Sequence, residues 1–197
     1  MRLEDYTPSE PAEVSCISEN GQSTLVFVRE IRHSPEKVWS AMIDAEKIPK
    51  WAPYEPNRNL DSIGPVTLRM VDGSIPEFYE SEVYEVVTQQ KVRYSWGDSG
   101  VLSWELEPSE TGTKLTLHHT VENPEWITPS AAGWHMCLDF AEYLLDGYAL
   151  GPVVGEAAIK YGWQKLADHY AKVLGITTPV EVPDVFGDES ESDKEGN

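Results

Sequence analysis

Two cysteines in 197 residues, Cys16 and Cys137, are too few for a disulfide framework. Basic residues are also scarce, with 15 Lys and Arg against 34 Asp and Glu, a formal charge of −19. Such a field repels phosphate backbones and anionic membranes, so nucleic acid is not an expected partner. No uninterrupted apolar run reaches the roughly 20 residues that a membrane span requires. The opening MRLEDYTPSEPAEVS has neither the basic flank nor the apolar core of a signal peptide, and the expected compartment is the cytoplasm. GPVVGE, from Gly151, lacks the spacing of a dinucleotide or P-loop fingerprint, and no Gly-x-Ser-x-Gly or Cys-x-x-Cys occurs. These absences argue against nucleotide, flavin and zinc enzymes, so no cofactor and no metal are expected. Cofactor-independent acid and base chemistry stays open.

What is present is enough for one packed domain, since 40% of the residues are hydrophobic. Residues 1–20 carry Pro8, Pro11 and scattered charge without periodicity, and read as a flexible segment that limited proteolysis removes first. Residues 176–197 end in an acidic, Gly- and Ser-containing tract and read as a disordered tail.

Between them, STLVFVREIRH (from Ser23) has strand character. Ser34 and Pro35 then supply an N-cap and first turn for the helix EKVWSAMIDA, and EKIPKWAPY gives a second short helical turn broken by Pro49 and Pro53. Because these turns lie between the first strand and the rest of the sheet, Trp39 and Trp51 are expected to close one end of it. PVTLRMV, YESEVYEVVT, KVRYSWG, VLSWELEP and TKLTLHHTV follow as strands of an antiparallel meander, separated by turn signals at Asp72-Gly73, Gly97 to Gly100 and Glu110 to Gly112. The stretch AAGWHMCLDFAEYLLDGY, from Ala131, reads as a long helix. A last helix carries Ile159, Trp163, Leu166, Tyr170 and Val173 as one apolar stripe.

Strand alternation places Val92, Tyr94 and Trp96 on one face, with Leu102, Trp104, Leu106, Leu115, Leu117, His119 and Val121 on the same side of the next two strands. On the long helix, Trp134, Cys137, Leu138, Ala141, Leu144, Leu145 and Tyr148 form a broad apolar face. His135, Asp139, Glu142 and Asp146 form a narrow polar stripe expected to meet solvent. Together, strands and helix enclose either a solid core or a cavity of about 300–1,000 Å³.

His118 and His119 are adjacent on a strand, face opposite sides and cannot share a metal. His119, on the apolar side, is the one candidate for proton transfer or for a hydrogen bond to a ligand, against a histidine satisfied by a neighbouring hydroxyl or carbonyl. His135 and Cys137 do not face each other on a helix, and Cys137 reads as a buried small hydrophobe. His135 and Asp139, four apart, read as a surface pair. Arg29 either faces inward, where it would hold an anionic group, or pairs with an acid such as Glu82.

The segments REIRHSPEKVWSAMIDAEKIPKW and GWHMCLDFAEYLLDG, in this order of elements, resemble the SRPBCC (START-like) superfamily. Within it the chain looks most like bacterial homologues of the activator of heat-shock protein 90 ATPase. The resemblance covers about Ser23 to Gly175, with SPEKVW and GWHxxLD its most specific parts, so residues 21–175 are expected to be the START-like domain. It implies an α+β helix-grip fold: a curved antiparallel sheet of about six strands wrapped around a long C-terminal helix, with two short helices after the first strand and an apolar cavity inside.

That favours the cavity over the solid core. The expected function is cytoplasmic binding of a small hydrophobic or amphipathic ligand, such as a lipid or polyketide, against Tyr94, Trp96, Leu102, Trp104, Leu117, His119, Trp134, Leu138 and Ala141. The alternatives are a cofactor-independent cyclase or hydratase using the same cavity, or a chaperone-associated module whose outer surface meets a chaperone or a second copy. A separate N-terminal chaperone-binding domain ahead of Ser23 is not expected from this sequence, and this expectation weighs against the chaperone alternative.

Overall fold

The computed structural model describes residues 1–176 apart from Ile75, Asp98, Ser99 and Glu122, so the expectation for the acidic tail lies outside the described residues save for Ile176. Eight antiparallel strands form one sheet: β1 (Glu13–Glu19), β2 (Gln22–Ile31), β3 (Tyr54–Pro56), β4 (Gly64–Met70), β5 (Phe78–Val87), β6 (Lys91–Trp96), β7 (Gly100–Pro108) and β8 (Thr113–Val121). Their spatial order is β1-β2-β8-β7-β6-β5-β4-β3. The chain leaves β2 through α1 (Pro35–Ile43) and a 3-10 turn (Ile48–Lys50), crosses to the far edge, and returns strand by strand until β8 pairs with β2. The sheet curls around α2 (Ile127–Leu145), the expected helix-grip arrangement of the α+β class, with eight strands in place of about six.

Local chemistry explains the elements. Pro35 at the first position of α1 supplies a preset φ where no N–H partner is needed. β8 alternates strictly between buried and half-buried residues, as a strand with one covered face must. Beyond α2, α3 (Glu156–Lys160) and α4 (Trp163–Leu174) replace the expected single helix. Gly162 breaks it with φ +102°, and a Cβ there would also press on Pro8 at 3.0 Å. Trp163, Leu166 and Tyr170 are buried, whereas Ile159 and Val173, at the ends of the expected stripe, are exposed. α4 packs on α2 and so covers the helix arc that does not face the sheet.

Trp39 and Trp51 are both buried, as their position between β2 and the meander implied. Trp51 donates its indole N–H to the Ala41 carbonyl at 3.0 Å and sets its ring edge-on to Trp104. Trp51→Phe is expected to lower the unfolding free energy by about 2 kcal/mol, because the buried carbonyl loses its donor. Urea titration checks this, and a change below about 0.5 kcal/mol would mean that the carbonyl finds another partner.

The first 20 residues differ from the sequence-based expectation. Glu13–Glu19 is a strand, paired residue by residue with β2 from Glu13↔Val28 to Glu19↔Gln22. Ahead of it, Tyr6 is buried against Phe140 with ring centroids 4.7 Å apart. The segment has no period because it is fastened at separate points, not along a face.

Candidate functional site

The inner face of the sheet and α2 bring all nine sequence-predicted residues into one interior. The register sets Tyr94 opposite Leu102, Leu102 opposite His119, and Trp104 opposite Leu117. α2 lays Trp134 across these rows, with centroids 5.3 Å from Trp104, 5.7 Å from Trp96 and 6.0 Å from His119. Leu138 and Ala141, one and two turns farther along α2, are buried. Of the nine residues, Trp96 alone is half-buried; the others are closed off from solvent.

Two groups of polar atoms lie within this interior, and they differ in how they are satisfied. In the first, Trp104 donates its indole N–H to the Tyr94 hydroxyl at 2.9 Å, and the Tyr94 and Tyr54 hydroxyls are 2.6 Å apart. Burial pushes the Tyr94 hydroxyl up to about 12, so it stays protonated and acts as a neutral link. In the second, Trp134 donates its indole N–H to His119 Nδ1 at 3.1 Å. An indole can only donate, so Nδ1 is the lone-pair nitrogen and the proton of the neutral ring sits on Nε2. His119 Nε2 has no hydrogen-bond partner among the described residues, although the residue is only 5% exposed. Burial also lowers the His119 pKa to about 4. His118 faces outward, half-buried, with Nε2 3.8 Å from Glu105, and no group of three or more potential metal-ligating side chains occurs among the described residues.

A separate polar network lies on the other arc of α2, and here the structure corrects the sequence reading. His135 is not a peripheral residue but 0% exposed. Its Nδ1 is 2.7 Å from the Tyr170 hydroxyl and its Nε2 is 3.2 Å from Ser9 Oγ. Tyr170 accepts the Ala12 N–H, so its own proton is free for Nδ1. Asp139, also buried, accepts from the Tyr6 hydroxyl at 2.7 Å, from the Ser9 N–H at 3.1 Å and from Ser9 Oγ at 2.6 Å. Arg29 does face inward and pairs with acids, though with Asp139 and Glu142 in place of Glu82. Its Nη2 donates to Asp139 and its Nε to Glu142, each at 2.5 Å.

Burial alone would raise the Asp139 carboxyl; Arg29 and the hydrogen bonds outweigh it and hold the pKa below the ordinary carboxylate value. The polar stripe on α2 was legible, but its cover was not, because residues 6–12, Arg29 and Tyr170 reach it from distant parts of the chain. An inward-facing Arg on β2 together with two carboxylates on the helix it packs against was the available signal.

The two buried histidines carry a pH signature. For His135, as for His119, burial is the largest influence and takes the pKa from 6.5 to about 4. Between those values the unfolded chain binds protons that the folded chain refuses, so stability is full above about pH 6.5 and falls as the pH drops toward 4. Each histidine accounts for up to about 3 kcal/mol across that window. His119→Phe is expected to halve the slope of unfolding free energy against pH that the two histidines produce. An unchanged slope would show that His119 is not buried neutral.

A curled antiparallel sheet gripping a long helix around an aromatic interior defines a helix-grip protein. The sequence profile of the family described as Activator of Hsp90 ATPase homolog 1-like protein matches residues 32–145, more than half of the chain, and the chain belongs to that family. Among curated protein sequences none matches. Solved structures with the same fold include the solution structure of CalU16 from Micromonospora echinospora, 16% identical with a TM-score of 0.64, covering 86% of this chain and 97% of that one. EF2215 from Enterococcus faecalis is 18% identical with a TM-score of 0.60, covering 84% and 93%. MLL2253 from Mesorhizobium loti is 24% identical with a TM-score of 0.56, covering 63% and 97%. At these identities the likeness concerns fold alone.

Proposed function

We propose that this chain binds a small hydrophobic or amphipathic molecule between the sheet and α2, in the cytoplasm. The observation that carries the reading is the Nε2–H of His119, a donor enclosed by aromatic rings and without an acceptor among the described residues. A buried donor without a partner costs about 1–3 kcal/mol, and dense cores almost always satisfy such groups. An occupant that supplies an acceptor would remove the cost. Both cysteines are free, Cys137 buried and Cys16 exposed, which suits a reducing compartment.

Binding is favoured over proton transfer. The lone pair of His119 is already taken by the Trp134 N–H, so the ring is poorly placed as a base, and it is neutral at pH 7. Fluorescence titration with the neutral probe N-phenyl-1-naphthylamine tests the reading. Saturable enhancement with one probe per chain, together with quenching of tryptophan emission, is expected. Enhancement that never saturates, with tryptophan emission unchanged, would contradict it.

A further inference from the structure

Among the described residues four buried side-chain polar atoms lack a hydrogen-bond partner: Ser103 Oγ lies opposite the outward-facing His118, and the other three, on His119, Ser81 and Thr128, lie on the inner side toward one end of the grip. β8 ends at Val121, and the chain turns through Pro124–Trp126 into α2, so the first turn of α2 lies beyond the row in which Trp96 pairs with Gly100. Thr128, six residues and about 9 Å along the helix ahead of Trp134, is at this end. Its hydroxyl is buried without a hydrogen-bond partner among the described residues. The same holds for Ser81 on β5, where the register that sets Val83 opposite Tyr94 carries Ser81 toward Trp96. Trp96 is the half-buried member of the predicted set, and Trp126, directly before α2, is 39% exposed. The opposite end is different in kind: there the inward cation, Arg29, is already shared between Asp139 and Glu142.

We infer that the occupant enters at the Trp96–Trp126 end and is an uncharged molecule with a flat apolar body and a carbonyl-type acceptor oxygen, which takes the Nε2–H of His119. This rests on the binding reading above and narrows it. The donor requirement follows from the tautomer: with Nδ1 filled by Trp134, His119 can only give a hydrogen bond. The flat body follows from the walls, since Trp96 and Trp134 stand within 6.2 Å of the His119 ring, at 87° and 82° to it. Absence of charge follows from electrostatics. Among the described residues the one inward guanidinium near α2 is already paired with carboxylates, so a ligand carboxylate would be desolvated without a free cation there, and a chain of −19 repels anions on approach. The Ser81 and Thr128 hydroxyls add adaptable polar contacts near the entrance.

The test compares three probes on one skeleton by isothermal titration of the full chain: 2-acetylnaphthalene, 2-ethylnaphthalene and 2-naphthoate. The ketone should bind about tenfold more tightly than the ethyl compound, the advantage of one hydrogen bond to an otherwise orphaned donor, and the carboxylate more weakly than either. In His119→Phe the ratio of the two affinities should fall to about one, whatever change the new ring makes to both. A second readout needs no variant: in the native ¹⁵N-labelled chain, the His119 Nε2–H resonance should move with 2-acetylnaphthalene and not with 2-ethylnaphthalene. Equal binding of ketone and ethyl compound with an unmoved resonance would overturn the acceptor pairing and leave the binding reading standing. Tightest binding of 2-naphthoate would overturn the uncharged class. If none of the three binds, both readings fall.

Discussion

In urea titrations at pH 7, Arg29→Ala is expected to lower the unfolding free energy by about 3–5 kcal/mol, the range for removing one partner of a buried ion pair. The Arg29 side chain is 11% exposed and that of Asp139 3%, so the carboxylate left behind has little access to water. Asp139 would keep its bonds from Tyr6 and Ser9 but lose the charge that outweighs its desolvation. The sign with pH distinguishes this cause from simple loss of packing. The native Asp139 pKa is depressed, so its stabilising contribution is present above the unfolded value of 3.8 and is lost as pH falls through the lower folded value. The deficit of Arg29→Ala should therefore shrink in acid. A deficit of the same size at pH 3 and pH 7 would assign the loss to the aliphatic stem of the arginine.

Tyr6→Ala should cost nearly as much, about 3–5 kcal/mol, for loss of a buried ring together with a hydrogen bond to a carboxylate. The ring lies on Phe140 and meets Tyr143 and Tyr161 with centroids 6.2 Å away, and its hydroxyl donates to Asp139. Tyr6→Phe separates the two contributions by removing only the hydroxyl, at about 1–3 kcal/mol. The result bears directly on the N-terminal segment. If residues 1–20 contributed little to the fold, as their composition suggests, Tyr6→Ala would leave the urea midpoint where it was, and proteolysis of the native chain would cut before Glu13.

The sheet was largely legible because its signal is local. KVRYSW, GVLSWELEP and TKLTLHHTV alternate, and alternation alone puts His119 inside and His118 outside. β1 was not legible because EVSCISE is an edge strand whose residues are mostly exposed, so neither face needed to be apolar. β3 is three residues long and ends in proline. His135 was misplaced for a different reason. The helical wheel found its polar stripe, but a stripe shows only which residues share a side, and what covers that side is a tertiary fact. Tyr6 and Asp139 are 133 residues apart in sequence, and Arg29 and Glu142 113. No window of the chain contains both partners. The His119–Trp134 bond, 15 residues apart but on different elements, is hidden in the same way, and with it the tautomer that makes Nε2 a donor.

Ligand binding requires that the aromatic interior hold a molecule other than its own side chains. Native mass spectrometry of the full chain, purified from a lysate without any denaturing step, tests this most directly. A second species is expected, heavier than the bare chain by the mass of one uncharged small molecule. That species should collapse to the bare mass when the protein is denatured, and the molecule released should carry at least one acceptor oxygen. A single species at the bare mass, unchanged after incubation with 2-acetylnaphthalene, would contradict ligand binding and leave the interior as a packed core.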